Sequence, residues 1–62
     1  MSRILRGEML QQFINEYFKG FEKDIVNIVI ILNNKVSECV VNGHKHIKMD
    51  REVIKKYMYT ER

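Results

Sequence analysis

The stretch Asp24-Ile25-Val26-Asn27-Ile28-Val29-Ile30-Ile31-Leu32 is the most apolar run in the chain and decides the fold. Its β-branched side chains suit a pleated strand and lose rotamer freedom in a helix. Alternation along such a strand places on one side Val26, Ile28, Ile30 and Leu32. The other side carries Ile25, Asn27, Val29 and Ile31. Both sides are mainly apolar, which is typical of a strand that is covered on both faces.

A chain of 62 residues allows one compact domain, 1–62, with a small core. Domains of this size fold with little stability to spare, and many rely on disulfides, metals or oligomerisation. Cys39 is the only cysteine, so an internal disulfide is excluded. The chain has no signal-peptide pattern, and its apolar run is far shorter than the roughly 20 residues that cross a bilayer. We therefore expect a cytoplasmic protein without a membrane segment.

Hydrophobic periodicity predicts a helix over residues 3–19, or one that begins near Gly7. Two neighbouring apolar rows support it, namely Leu5, Met9, Phe13 and Tyr17, and Leu10, Ile14, Phe18 and Phe21. Gly20 is expected to end this helix in a left-handed conformation, with Phe21 folding back onto it. An aromatic stripe at this spacing predicts core packing rather than a ligand site.

Three strands follow the first helix, at residues 24–32, 36–41 and 44–49. Asn33-Asn34-Lys35 is predicted to form the first turn, because Asn tolerates positive φ. Asn42-Gly43 favours a two-residue type I′ hairpin turn.

Asp50 is a predicted N-cap for a second helix, which runs from Arg51 to about Thr60. The element order is therefore α-β-β-β-α. The predicted fold is a small single α+β domain, in which a three-stranded antiparallel meander carries two helices packed on one face.

These turn lengths set the register and the faces of the predicted sheet. Cys39 then lies opposite His46, and Ile30 lies opposite Glu38. The helices would cover Val26, Ile28, Ile30, Leu32, Val36, Val40, Ile47 and Met49. The opposite face would be the interface with a second copy or a partner, through Ile25, Asn27, Val29, Ile31, Cys39 and Val41.

In this meander the strand at 24–32 is also an edge strand. A long apolar edge without proline or inward charge pairs readily with another chain. We therefore predict a homodimer. Its two copies either pair these edges antiparallel around a two-fold axis or stack their half-apolar faces.

Three side chains with metal-ligand or nucleophile chemistry share the predicted face opposite the helices, namely Cys39, His44 and His46. No fourth ligand lies with them, and no group orients a catalytic base. The chain also lacks a P-loop and a dinucleotide-binding fingerprint. We therefore expect no metal site, no cofactor and no enzymatic activity.

The formal net charge is +3, and the positive surplus lies in residues 35–62. Five basic side chains surround the junction between the third strand and the second helix, namely Lys45, Lys48, Arg51, Lys55 and Lys56. Such a cluster is a candidate for phosphate contacts. Asp50 and Glu52 at the same place would repel an anion, and no aromatic side chain at an exposed strand position could stack a base.

Together these features favour a small non-enzymatic interaction module, a homodimer that binds and modulates a larger protein as an inhibitor or adaptor. The alternative is a dimeric nucleic-acid-binding regulator that uses the five basic side chains. Neither a membrane nor a small-molecule substrate is an expected partner.

Overall fold

The computed structural model describes residues 1–59. Its elements are β1 (Ser2–Ile4), α1 (Gly7–Tyr17), β2 (Ile28–Leu32), β3 (Ser37–Val41), β4 (Lys45–Lys48) and α2 (Arg51–Met58). The strands form one antiparallel sheet in the order β1-β2-β3-β4. The small α+β class is confirmed, but the sheet has four strands rather than the predicted three. The predicted helix end at Thr60 lies outside the described residues.

The N-terminal residues form strand β1 rather than the first turn of a helix. Met1 and Leu32 exchange two backbone hydrogen bonds, of 3.0 and 2.9 Å. Leu5 N–H donates to the Ile28 carbonyl at 3.0 Å. The chain then turns at Gly7, whose φ of +56° is accessible to glycine at little cost. The helix start near Gly7 is therefore confirmed, and the start at residue 3 is wrong.

Strand β1 covers the edge that the predicted meander left free. β2 pairs with β1 on one side and with β3 on the other. Its backbone groups are satisfied within the chain. The predicted edge-to-edge pairing of the 24–32 strands is therefore wrong, because this strand is central in the sheet.

The β2–β3 loop is one residue longer than predicted. Leu32 lies opposite Ser37, so the loop comprises residues 33–36. The Asn33 side-chain oxygen accepts the backbone N–H groups of Lys35 and Val36, both at 2.8 Å. These two hydrogen bonds to the Asn33 side chain stabilise a four-residue loop in place of the predicted three-residue turn.

The β3–β4 hairpin is also one residue longer than predicted. Asn42 and Gly43 both have positive φ, 57° and 79°, as a type I′ turn requires. His44 nevertheless belongs to the loop, because Val41 lies opposite Lys45. Since a shift of one residue turns a strand over, the longer β2–β3 loop exchanges the faces of β3 relative to the prediction, and the longer β3–β4 loop returns Ile47 of β4 to its predicted helix side.

The helices cover one face of the sheet and enclose a single core. Its buried members are Leu5, Met9, Phe13, Ile14, Ile28, Ile30, Leu32, Cys39, Val41, Ile54, Tyr57 and Met58. The ring of Phe13 is fully buried, and its centroid lies 4.9 Å from that of Tyr57 in a T-shaped contact. The expected core role of the aromatic stripe is confirmed at Phe13. Gly20 has the expected positive φ of 98°, but the predicted helix end there is wrong, because α1 ends at Tyr17. Phe21 is 59% exposed.

Helix α2 is held at both ends by arginines. The Arg3 guanidinium donates to the carbonyls of Tyr57 and Met58, at 3.0 and 2.9 Å, in the last turn of the helix. These carbonyls lack partners within the helix. Arg51 donates to the Asn33 carbonyl at 2.7 Å. The predicted N-cap is also confirmed, since the Asp50 carboxylate accepts the Glu52 N–H at 2.8 Å.

Substitution of Arg3 by Met should lower the free energy of unfolding by about 1–2 kcal/mol, since it removes charge-assisted hydrogen bonds from a helix C-terminus. Urea denaturation followed by circular dichroism measures this change. Arg6→Met is the matched control, because the exposed Arg6 guanidinium makes neither of these two bonds. Equal midpoints for the two variants would contradict a stabilising role for Arg3.

Across residues 1–59, neither helix has the length and apolar composition that crossing a bilayer requires.

Candidate interaction surfaces

The sheet face opposite the helices is apolar at its centre. Antiparallel pairing aligns two rows of side chains across the strands on this face. One row is Ile4, Val29, Val40 and His46, and the other is Ser2, Ile31, Glu38 and Lys48. We call these eight residues the open face.

The apolar side chains of the open face lie outside the core that the helices enclose. Ile4 is 51% exposed, and Val29 and Ile31 are half-buried. Val40 is only 8% exposed. Its position in the middle of the row, between Val29 and His46, accounts for this burial. The apolar part of the open face therefore continues across β1, β2 and β3.

The β4 side of the open face is charged. His46 Nδ1 lies 2.9 Å from a carboxylate oxygen of Glu38, whose side chain is only 16% exposed. Lys48 lies directly opposite Glu38 in the register. One acid therefore lies beside two basic side chains, next to the apolar part of the face.

The structure divides the six predicted interface residues between several environments. Val29 and Ile31 lie on the open face. Cys39 and Val41 are buried beneath the helices. The face predicted for Cys39 and Val41 is therefore wrong, because the β2–β3 loop is one residue longer than expected.

The remaining two predicted interface residues, Ile25 and Asn27, precede β2. Ile25 packs against the core from the α1–β2 connection. Sequence reasoning missed Ile4 and Val40 as members of the open face. A longer hairpin loop would have placed Val40 there, whereas the three residues of β1 carry no periodic signal.

Cys39, His44 and His46 do not come together. Cys39 lies opposite Ile47 and is fully buried on the helix side, whereas His46 lies on the open face. Burial raises the pKa of the Cys39 thiol to about 11, and the charge of Glu38 adds to this rise. His44 lies in the hairpin loop, with Nδ1 3.0 Å from the Asn42 carbonyl. In the described part of the chain, no three His, Cys, Asp or Glu side chains converge on a point that could hold a metal ion.

The five basic side chains do not form one patch. Lys45 and Lys48 lie on opposite faces of β4, because three positions separate them along the strand. The Arg51 guanidinium is directed to the Asn33 carbonyl.

The two lysines of helix α2 lie beside carboxylates. Lys55 Nζ is 3.9 Å from the Glu52 carboxylate, and Lys56 Nζ is 3.6 Å from that of Glu16. Glu16 also accepts a hydrogen bond from the buried Tyr57 hydroxyl. Three of the five basic groups are thus engaged with groups of the chain itself.

A groove of about 280 Å³ lies beside the β3–β4 hairpin. Its apolar walls are Phe18, Phe21, Ile25, Val41 and Ile47, and its polar lining is Asp24, Asn42 and Lys45. Since Val41 and Ile47 belong to the helix-side face of the sheet, the groove lies on the opposite side of the sheet from the open face.

The molecule therefore presents two apolar surfaces, the open face and the groove. Both combine apolar side chains with a few charged groups, which is the composition of many protein-binding surfaces. No family model, characterised protein or solved structure matches the chain.

Proposed function

We propose that this protein is a non-enzymatic interaction module that forms a homodimer through the open face and, as a dimer, binds and modulates a larger protein. The main observation in support of the homodimer is the apolar centre of the open face, formed by Ile4, Val29, Ile31 and Val40. In an antiparallel sheet with one solvated face, the outward side chains are normally polar. Contact with a second sheet would remove these side chains from water.

The charges of the open face suit a contact between two identical copies. A two-fold axis that runs across the strands places the charged side of one copy over the charged side of the other, so an acid of one copy then lies near a base of its mate. Each copy supplies Glu38 together with His46 and Lys48, all on the same side of the patch. Two sheets packed about 10 Å apart would enclose the apolar rows between them.

The size of the open face limits the strength of this dimer. A standard interface removes about 800 Å² from each partner and involves roughly 20–30 residues a side. The open face has only eight residues. We therefore expect a dissociation constant in the micromolar range, equivalent to about −8 kcal/mol.

The environment of Cys39 supports a non-enzymatic function. A nucleophilic thiol needs exposure and a lowered pKa, usually from an adjacent imidazole or cation. Cys39 is buried, its pKa is raised, and His46 lies on the other face of the sheet.

The dimer is tested by replacing Val29 with Lys. Sedimentation velocity of the wild-type chain should show dimers that dissociate in the micromolar range, and Val29→Lys should weaken association at least tenfold because it places a charge in the apolar centre. Val26→Lys is the matched control, since Val26 is 77% exposed and lies outside the open face. Circular dichroism should show that both variants stay folded.

Two results would contradict this part of the proposal. The first is a wild-type chain that stays monomeric at several hundred micromolar, and the second is a dimer that Val29→Lys leaves unchanged. A gel shift with duplex DNA and single-stranded RNA tests the nucleic-acid alternative. Binding that weakens steeply with salt would favour that alternative. The dispersed positions of Lys45, Lys48 and Arg51 argue against it.

A further inference from the structure

We infer that the groove beside the β3–β4 hairpin binds a large apolar side chain of a partner protein, from a segment that also presents a carboxylate to Lys45. This inference rests on the proposed function, because it specifies the segment that such an interaction module would bind. Five properties of the groove support it: its rigidity, its exposed aromatic wall, its size, its charges and its position.

The walls of the groove are held in place by hydrogen bonds within the chain. The Asn42 side chain accepts the Val26 N–H at 2.7 Å and donates to the Asp24 carbonyl at 2.9 Å. Its backbone N–H donates to the Asn27 carbonyl at 2.9 Å. These bonds fasten the α1–β2 connection to the hairpin turn. A groove that exists before binding loses less entropy when a ligand enters.

One wall of the groove is an aromatic ring that the core does not require. Phe21 is 59% exposed. Its backbone is nevertheless ordered, since Phe21 N–H donates to the Phe18 carbonyl and Asp24 N–H donates to the Phe21 carbonyl, both at 2.9 Å. An exposed aromatic residue beside an apolar recess is typical of the centre of a binding site.

The volume of the groove selects the class of ligand. About 280 Å³ lies just below the range of roughly 300–1,000 Å³ for drug-sized ligands. One aromatic or large aliphatic side chain and its backbone are therefore a better match than a cofactor or a long acyl chain.

The charges of the groove select the groups next to that side chain. Lys45 and Asp24 both line the groove, and neither side chain has an ion pair or hydrogen bond with any other residue of 1–59. The Lys45 ammonium can bind a carboxylate, and the Asp24 carboxylate can accept a backbone N–H. An acidic residue adjacent to the apolar residue of the partner segment supplies both groups.

The position of the groove is compatible with dimerisation through the open face. The two surfaces lie on opposite sides of the sheet. A dimer that buries its open faces would therefore expose two grooves, one on each outer side. Such a bivalent module can bind two segments of one partner or bring two partner molecules together.

The probe for this site is N-acetyl-L-phenylalaninate, which combines a phenyl ring, an amide N–H and a carboxylate. Titration into the ¹⁵N-labelled full chain should produce saturable amide shifts in residues 18–27 and 41–47. N-acetyl-L-phenylalanine amide, which lacks the carboxylate, should bind several-fold more weakly. Phenethylamine, a cation that Lys45 repels, should also bind more weakly than the anionic probe.

Two variants assign the binding to the groove. Lys45→Gln should weaken binding of the anionic probe by about two- to fivefold and leave the amide probe unchanged, as expected for the loss of an exposed charge pair. Lys35→Gln is the matched control, because Lys35 is an exposed residue of the β2–β3 loop and does not line the groove. Phe21→Ala should weaken both probes while the chain stays folded.

Several outcomes would overturn the inference. The first two are amide shifts confined to the open face and the absence of any saturable shift at 20 mM probe. The third is phenethylamine binding as tightly as the anionic probe. The fourth is an equal effect of Lys45→Gln and its control variant on binding of the anionic probe. Sedimentation velocity of the same samples measures the oligomeric state, so failure of the groove proposal can be distinguished from failure of the dimer proposal. A dimeric chain with an empty groove would reject only the groove, and a monomeric chain that binds the probe would reject only the dimer.

Discussion

Replacement of Phe13 by Ala should remove more than half of the chain's free energy of unfolding at 25 °C. The Phe13 ring is fully buried, and its centroid lies within 6.0 Å of the rings of Tyr17, Phe18 and Tyr57. Removal of a buried Phe side chain costs about 3–5 kcal/mol, through lost apolar burial and the cavity left behind. A domain of this length has roughly 3–9 kcal/mol of total stability at about 0.05–0.15 kcal/mol per residue. The variant therefore loses most of it.

Urea denaturation at a fixed protein concentration measures this loss, because dimerisation would otherwise shift the midpoint. Phe21→Ala is the matched control, since the same ring is removed from a side chain that is 59% exposed. We expect this control to change the free energy of unfolding by less than about 1 kcal/mol. Similar midpoints for the two alanine variants would show that Phe13 is not at the centre of the core.

The wild-type chain should lose stability as the pH rises from about 9 to 11. Burial raises the pKa of Cys39 from 9.0 to about 11 in the folded state. Above pH 9 the unfolded chain has lost this proton and the folded chain still holds it, so rising pH favours unfolding. A difference of about two pH units corresponds to roughly 3 kcal/mol. This contribution is complete below pH 9 and absent above pH 11.

Cys39→Ala isolates this effect when unfolding is measured across the pH range in the presence of a reductant. The variant should be less stable than the wild-type chain at pH 7, because a buried side chain is truncated. Between pH 9 and 10, the free energy of unfolding of the variant should fall much less than that of the wild-type chain. Burial also raises the pKa of Tyr57, and the Glu16 carboxylate raises it further. Both chains should therefore lose this second contribution above pH 10. Parallel curves for the two chains between pH 9 and 10 would contradict the assignment to Cys39.

Local chemistry explains the elements that could be predicted from the sequence. The apolar run at 28–32 specifies a strand, because its β-branched residues disfavour a helix. Asn42 and Gly43 specify a turn with positive φ, and Asp50 specifies a helix start. Each of these features depends on residues within a few positions of one another.

The candidate surfaces could be predicted only in part. Val29 and Ile31 were identified as outward-facing because they alternate with the core residues of β2. Cys39 and Val41 were placed on the wrong face, because a loop that is one residue longer turns a whole strand over. The groove could not be predicted, since its walls come from the α1–β2 connection and two strands.

The sequence by itself determined the elements with local signals, which are the two helices, the three later strands and the two-sided apolar character of β2. Only the tertiary structure decided strand β1, the face of β3 that carries Cys39, and the bonds from Arg3 to the end of α2. The physical reason is that these features arise from contacts between residues far apart in the chain. The pairing of Met1 with Leu32 spans 31 positions, and no short stretch of sequence specifies it.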